Sequence, residues 1–470
     1  MGHLPRGGMV EIRHPGAIGL SAGRRENFWY AGGALPSALL YQSFATYTVF
    51  FYVDVLRVPA VAVGAVMGTF GLWNAANDLL VGYWSDRTRT RWGRRRPYMF
   101  LGALPLVLTY AMLWAPPEGL RTAQVLPWLF GTVFLFDFFY TLVVLNWAAL
   151  FPEVAVEPGE RAQLAAVRQS FRIVGTIAAV AAPPLLWARI GWAGAGALFA
   201  AIGLIFLLLA AWGARERPGF ASGQPLALLP GLRHALANRP FALVLLAHVA
   251  INFAFVTLSS AFPFYAKYVL QAGEAATSAL LALVFVAAFV ALRGWGRLAV
   301  RWEPRRTALV AAAAFAATLS PFALARNVLE GAATAFLVGL ALAGLMIVLD
   351  LLLPEVIDAD EVRTGLRREG VYYGINGVII RLSISLQAIA FTLVFARTGF
   401  DPALAAQPSA ALGGLRLLVS GLPALGMIIA AGALSLYPLH GQARELMREQ
   451  LAEVRSRRQP RSDPGDHGEA

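Results

Sequence analysis

Residues 77–97 read NDLLVGYWSDRTRTRWGRRRP, an apolar stretch that runs straight into arginine. Asp78 lies on the apolar side of the join and Asp86 at the edge of the basic cluster; Arg87, Arg89, Arg91, Arg94, Arg95 and Arg96 follow. Cations packed just beyond an oily segment are the pattern of a helix that ends at the cytoplasmic face of a membrane. A charge inside such a segment costs at least ~2.5–3.5 kcal/mol on insertion scales, so Asp78 is expected to face a bundle interior and to have a partner there. On a helix Asn74, Asp78 and Gly82 stack on one face at i, i+4 and i+8, flanked by Trp73 and Asn77.

The composition extends that reading to the whole chain. Of 470 residues 58% are hydrophobic and 14% charged, with a mean hydropathy of +0.61; soluble domains carry about 25% charged residues. This leaves too little polar surface to cover a water-soluble globule. Apolar runs recur from Phe28 to Tyr437, each long enough for a helix, whereas β-barrel strands would give only short alternating segments. The expected fold class is an all-α polytopic membrane protein. There is no cysteine, which excludes disulfides and cysteine metal sites. The first 27 residues are polar and glycine-rich without an apolar core, so no cleavable signal peptide is expected. The net charge of +12 sits in short loops beside apolar spans, so it reads as membrane topology and no nucleic-acid partner is expected.

Twelve spans are predicted, roughly at 29–53, 62–83, 97–116, 124–151, 169–188, 191–213, 240–266, 276–298, 306–325, 332–353, 371–396 and 414–437. Arg297, Arg301, Arg305 and Arg306 follow span 8, and the tail holds Arg444, Arg448, Arg455, Arg457, Arg458 and Arg461, while loops 54–61, 117–123 and 326–331 hold few cations. That asymmetry places both termini in the cytoplasm. Segment 214–238, ARERPGFASGQPLALLPGLRHALAN, is polar with proline and glycine and then briefly amphipathic, and it divides the spans six and six. The expected organisation is a cytoplasmic segment (1–28), a six-helix half (29–213), a cytoplasmic central loop (214–239), a second six-helix half (240–437) and a cytoplasmic tail (438–470) with its last twenty or so residues disordered. The halves echo each other: span 4 runs into FPEVAVEPGERAQL (151–164) and span 10 into LPEVIDADEVRTGLRREG (353–370). Two such halves facing each other are the layout of a major-facilitator transporter, with the substrate site between them.

Four stretches carry a family resemblance. NDLLVGYWSDRTRTRWGRRRP resembles the loop after span 2 in the glycoside–pentoside–hexuronide:cation symporter family, the melibiose-permease-like branch of the major facilitators. It also looks like the superfamily's Gly-x-x-x-Asp-Arg…Gly-Arg-Arg loop, here Gly82, Asp86, Arg87, Gly93, Arg94 and Arg95. FFYVDV (50–55), PEVAVEPGERAQLAAVRQSF (152–171) and DADEVRTGLRREGVYYGINGVIIR (358–381) agree, in family order. The resemblance implies a twelve-helix major-facilitator fold, alternating access and cation-coupled uptake of a sugar or related solute. Asp86 beside the arginines is expected to form a cytoplasmic gate, with Glu153, Glu160, Asp358, Asp360 and Glu361 as partners on the same side. The plainer alternative is that the arginines only set topology or bind anionic lipid.

In the resembling symporters two acids on the span 2 face hold the coupling cation. Asp78 matches one of them, and Asn74 stands where sodium-coupled members have the other. A further family polar position is Val144 here, and Asp137, deeper in span 4, has no match in the family's site. One carboxylate with an amide is a poor trap for sodium, which takes several oxygen ligands, but suffices for a proton, since burial favours the neutral acid. Proton coupling is therefore preferred to sodium, with uncoupled or exchange transport as alternatives. Arg381 replaces the family's usual lysine, and is expected to neutralise Asp78 or to hold an anionic or hydroxylated substrate. A structural ion pair of Asp78 with Arg381 or Arg168 is the competing reading.

Substrate contacts are expected from Ser37, Tyr41, Gln42, Trp147, Arg168, Tyr373 and Asn376, with Tyr140, His248, Asn252, Tyr372 and Gln387 as further lining candidates. Aromatic rings with amides suit a sugar's flat apolar face and its hydroxyls, although tyrosine and tryptophan also collect at membrane interfaces. Galactoside-type members use an acid in span 1, where this chain has Ala38 beside Ser37, so galactoside specificity is not expected. His248 and Asn252 share a face of span 7 and fit a proton relay or simple packing. An enzyme, with catalytic residues, is not expected, nor is a metal or a cofactor beyond the transported H+ or Na+. A monomer in the lipid bilayer of the plasma or inner membrane is expected, with a sugar or glycoside as substrate and a lysophospholipid or drug-like amphiphile as the alternative cargo.

Overall fold

The protein is described by a computed structural model over residues 22–155, 158–216, 235–366, 368–404 and 406–458. Among these the regular elements are helical: α1 (Ala22–Gly32), α2 (Ala34–Phe50), a π-helical turn (Phe51–Val55), α3 (Ala60–Arg87), α4 (Arg96–Trp114), α5 (Thr122–Ala149), α6 (Phe151–Val154) and α7 (Pro158–Gly213). Then come α8 (Arg239–Tyr268), α9 (Glu274–Arg301), α10 (Pro304–Leu319), α11 (Val328–Thr364), α12 (Glu369–Thr398), α13 (Ser409–Arg416), a second π-helical turn (Leu417–Gly421), α14 (Leu422–Ser435) and α15 (Gly441–Arg458). Nine helical stretches among the described residues are long and apolar enough to cross a membrane.

Local chemistry sets the ends. Pro97, Pro240 and Pro304 stand in the first turns of α4, α8 and α10, where a missing N–H costs nothing. Asn327 caps α11 by accepting from the Glu330 N–H at 2.9 Å, and the Glu330 carboxylate accepts from the Arg326 N–H at 2.7 Å. Gly191, with φ 71° and ψ 172°, breaks the 56 residues of α7 between predicted spans 5 and 6. Leu72, Leu101, Phe289 and Val290 are each 60% exposed or more; that surface would be a liability in water and is the natural exterior in lipid.

The amino- and carboxy-terminal helices meet most extensively along α3 and α12. Small residues allow the approach: Ser385 Oγ donates to the Gly68 carbonyl at 2.8 Å, and a side chain at Gly71 would run into Ser385. Toward the 54–60 connection more bonds cross over. Ser260 donates to the Ala45 carbonyl at 2.7 Å, Phe50 meets Phe264 edge-on with ring centroids 5.0 Å apart, and buried Asp54 takes Lys267 Nζ at 2.5 Å together with the Tyr268 hydroxyl.

Helix α15 runs to Arg458, so the described part of the tail is helical; the rest of the stretch expected to be disordered lies outside the described residues. The helix docks on α11, with Arg444 Nε 2.5 Å from Glu355 Oε1 and Arg455 Nη2 2.9 Å from Asp358 Oδ1. Ion pairs hold it because it is arginine-rich and α11 is acidic at this end. Residues 459–470, residues 1–21 and residues 217–234 of the central loop lie outside the described residues.

Candidate functional site

Asp78 leaves α3 at the seam with α12. Its Oδ2 lies 2.5 Å from Nη2 of Arg381, and Thr141 of α5 donates to its Oδ1 at 3.1 Å. Arg381 also donates through Nη1 to Asn74 Oδ1. The other end of that amide, Asn74 Nδ2, donates to Asp137 Oδ1. Asn77 donates to both the backbone oxygen and Oδ2 of Asp137 at 3.0 Å. The result is one continuous cluster, Thr141–Asp78–Arg381–Asn74–Asp137–Asn77, which joins α3, α5 and α12. Asn74, Asn77 and Asp137 are fully buried, while Asp78 and Arg381 keep partial exposure.

Asp78, Asn74 and Arg381 thus come together as expected from the residues, and of the two arginines considered for Asp78 the partner is Arg381. Thr141 was missed, and Asp137 and Asn77 had been noted without a role. A signal was present: Asp137 and Thr141 are spaced i, i+4 on α5, as Asn74 and Asp78 are on α3, so each pair forms a polar stripe on one helix face. Only packing sets the two stripes against each other.

The substrate candidates divide. Tyr140 donates to the Ser37 carbonyl at 2.9 Å and its ring lies 5.2 Å from that of Tyr41, so Ser37, Tyr41 and Tyr140 form one patch. The Ser37 hydroxyl turns back to the Ala34 carbonyl, and Gln42 reaches Thr46 on its own helix at 3.4 Å. Trp147 is spent elsewhere: it donates to the Tyr30 carbonyl at 2.8 Å, Tyr30 returns a bond to the Trp147 carbonyl at 2.7 Å, and Arg168 lies 4.3 Å over the indole. Arg168 also sits 4.6 Å over Phe151, so among the described residues its surroundings are an aromatic cage. Asn376 Oδ1 is 2.8 Å from His248 Nδ1, Asn252 donates to Ser383 Oγ at 2.5 Å, and Tyr373 is half exposed.

At the gate loop, Arg94 Nη2 pairs with Glu153 Oε1 at 3.1 Å, and Arg87 lies 3.3 Å over the ring of Tyr83. Asp358 and Glu361 accept from Arg455 and Asp360 from Arg363, while Arg368 lies 3.7 Å from the second oxygen of Asp360 as an ion pair. The Asp86 side chain lies outside the described residues. Gly82 has room: an added methyl would sit 3.9 Å from Leu145. Glu216 was not anticipated. Its carboxylate accepts the backbone N–H groups of Arg94, Arg95 and Arg96 at 2.6, 2.6 and 2.8 Å, an anionic cap on the start of α4 beside the turn at Gly93 (φ 103°).

Apolar helices in two groups, joined through a buried charge cluster at their seam, define a multi-span membrane transporter of the major-facilitator fold. The chain belongs to the MFS/sugar transport protein family, whose model matches residues 29–441. It is 24% identical to a putative glycoside/cation symporter of Escherichia coli, over 92% of this chain and 95% of that one. It is 22% identical to a sodium-dependent lysophosphatidylcholine symporter of Danio rerio, over 90% of this chain and 87% of that one. Among solved structures, a bacterial homolog of the human lysosomal transporter Spinster superposes with a TM-score of 0.64 at 15% identity, covering 92% of this chain and 99% of its own, a likeness of fold alone.

Proposed function

We propose that this protein takes up a sugar or glycoside by proton symport, through alternating access of two six-helix halves with twelve crossings and the boundaries expected above. In this reading it acts as a monomer in the plasma or inner membrane, with both termini in the cytoplasm. The carrying observation is the Asp78–Arg381 pair, 2.5 Å long, between helices of opposite halves. An ion pair across the moving seam links the charge state of the site to the movement.

The cluster's chemistry favours the proton. Sodium needs several free oxygens, and here Arg381 occupies both Asp78 Oδ2 and Asn74 Oδ1. The guanidinium already fills the cation's place, whereas a proton needs only one lone pair. Ser37, Tyr41 and Gln42 form one wall of the substrate path, and Tyr373 and Asn376 face it from α12. Trp147 and Arg168 brace each other at the inner end. Gly82, Arg87, Arg94, Arg95, Glu153, Asp358 and Asp360, with Asp86, belong to the cytoplasmic gate. The Danio rerio relative favours a second reading, a lysolipid carrier driven by sodium.

Proteoliposome uptake separates the two. A labelled methyl glycoside series and labelled lysophosphatidylcholine are offered under an imposed pH gradient or an imposed sodium gradient. Glycoside accumulation driven by the pH gradient is the expected result. Accumulation of the lysolipid alone, or drive by sodium alone, would falsify the proposal.

A further inference from the structure

We infer that Asp137 is the proton-carrying carboxylate of this transporter, a second acid supplied by α5 where α3 offers only the amide of Asn74. The inference rests on the proton-symport reading and assigns the proton within it. Asp78 and Asp137 share one cluster, and its guanidinium is committed. Arg381 places Nη2 on Asp78 and Nη1 on Asn74, so Asp78 has a full counter-charge and Asp137 has amide donors. Asp137 is also the more deeply buried of the two. A sealed carboxylate held by neutral donors answers burial by taking a proton, whereas a paired one stays ionised.

Asn77 fits both states of such an acid. Its Nδ2 lies 3.0 Å from both Asp137 Oδ2 and the Asp137 backbone oxygen, while its own Oδ1 is buried with no hydrogen-bond partner among the described residues. In that orientation the amide donates to a carboxylate. Turned about its terminal torsion, it gives up those two bonds and presents Oδ1 to the O–H of a protonated Asp137.

Asn74 connects this proton to movement. Its amide donates to Asp137 at one end and accepts from Arg381 at the other. With Asp137 ionised, the amide is polarised so that its oxygen holds Arg381 more firmly; a proton on Asp137 relaxes that hold. The proton passes from water to an Asp137 oxygen and back, with no other bond made or broken. Among the described residues, the other ionisable groups around Asp137 are Asp78 from α3, Arg381 from α12, Tyr41 from α2 and Tyr140 on its own helix.

Infrared difference spectroscopy of the full-length protein in sodium-free proteoliposomes, stepped between high and low pH, tests this without a substrate. The C=O stretch of a protonated carboxyl should appear at low pH, vanish in Asp137→Asn and persist in Asp78→Asn. Asp137→Glu keeps a carboxyl at the site, and should keep the band at a shifted frequency even where the asparagine variant fails to fold. A band that survives Asp137→Asn, or holds its frequency in Asp137→Glu, overturns the inference. A band lost only in Asp78→Asn overturns it while leaving proton symport standing. A wild-type protein with no such band overturns both.

Discussion

Lys267 crosses from α8 to the amino-terminal helices and sets its Nζ 2.5 Å from Oδ2 of Asp54, a carboxylate only 2% exposed. The Tyr268 hydroxyl takes the other oxygen. This pair ties the halves at the end of the bundle that carries the 54–60 connection, the end opposite the arginine loop of residues 87–96. Asp54→Asn removes the buried carboxylate and leaves Lys267, 45% exposed, without its counter-charge, so the loss is that of the bond across the halves, discounted for solvent screening. Asp54→Asn should therefore cost this closed end about 1–3 kcal/mol, a five- to 150-fold population shift. Spin labels on Val61→Cys and Gln271→Cys, in a chain with no native cysteine, should report longer distances by double electron–electron resonance in Asp54→Asn. Unchanged distributions would remove the closing role.

Asp78 and Arg381 should behave as one unit. Arg381→Ala strands Asp78 in the spans and should destabilise by about 3–5 kcal/mol. Adding Asp78→Asn to Arg381→Ala should recover most of that loss, so the thermal-melt cycle in detergent must be strongly non-additive. Additive losses would mean that the pair contributes little to holding α3 against α12.

Glu216→Gln keeps the shape of the cap on α4 and removes its charge. The amide has one acceptor oxygen where the carboxylate has two, so at least one of the three bonds is lost and the rest lose their charge, a loss of about 1–2 kcal/mol. The loop around Gly93 should open more often and trypsin should cut within Arg87–Arg96 faster. Digestion at the wild-type rate would reduce the cap to a bystander.

Gly71 and Gly82 lie on the same helix and should differ. A side chain at Gly71 meets Ser385 of α12, so Gly71→Val should push the seam apart and lower initial uptake at least roughly tenfold. The space at Gly82 accepts a methyl, so Gly82→Ala should transport within about twofold of wild type, the small effect usual at an unstrained position. A severe loss in Gly82→Ala would point to a close approach there in another state of the transport cycle.

Much of the fold could be read along the chain. Asp78, Asn74 and Arg381 announced themselves, because a polar residue inside an apolar span is conspicuous on cost alone. The break near residue 190, now placed at Gly191, was visible as a gap between apolar runs. Asp137 was equally conspicuous and still had no role, since nothing within span 4 says which helix it faces. Glu216 was hidden in a polar segment where a glutamate is ordinary. Trp147 and Arg168 read as substrate contacts, and the structure sets Arg168 over the Trp147 ring; a sugar-stacking ring and a cation-stacking ring have the same chemistry in sequence.

The sequence by itself determined that this chain is a helical membrane protein with an acid and an arginine inside its spans. Those are matters of transfer free energy, decided residue by residue along a segment. The tertiary structure alone decided which buried charges meet. Arg381 and Asp78 are separated by some three hundred residues, and the rotation of α3, α5 and α12 about their own axes chose among the candidate partners. Helix rotation is set by packing of small residues such as Gly71 against Ser385, and each side chain there depends on a neighbour from elsewhere in the chain.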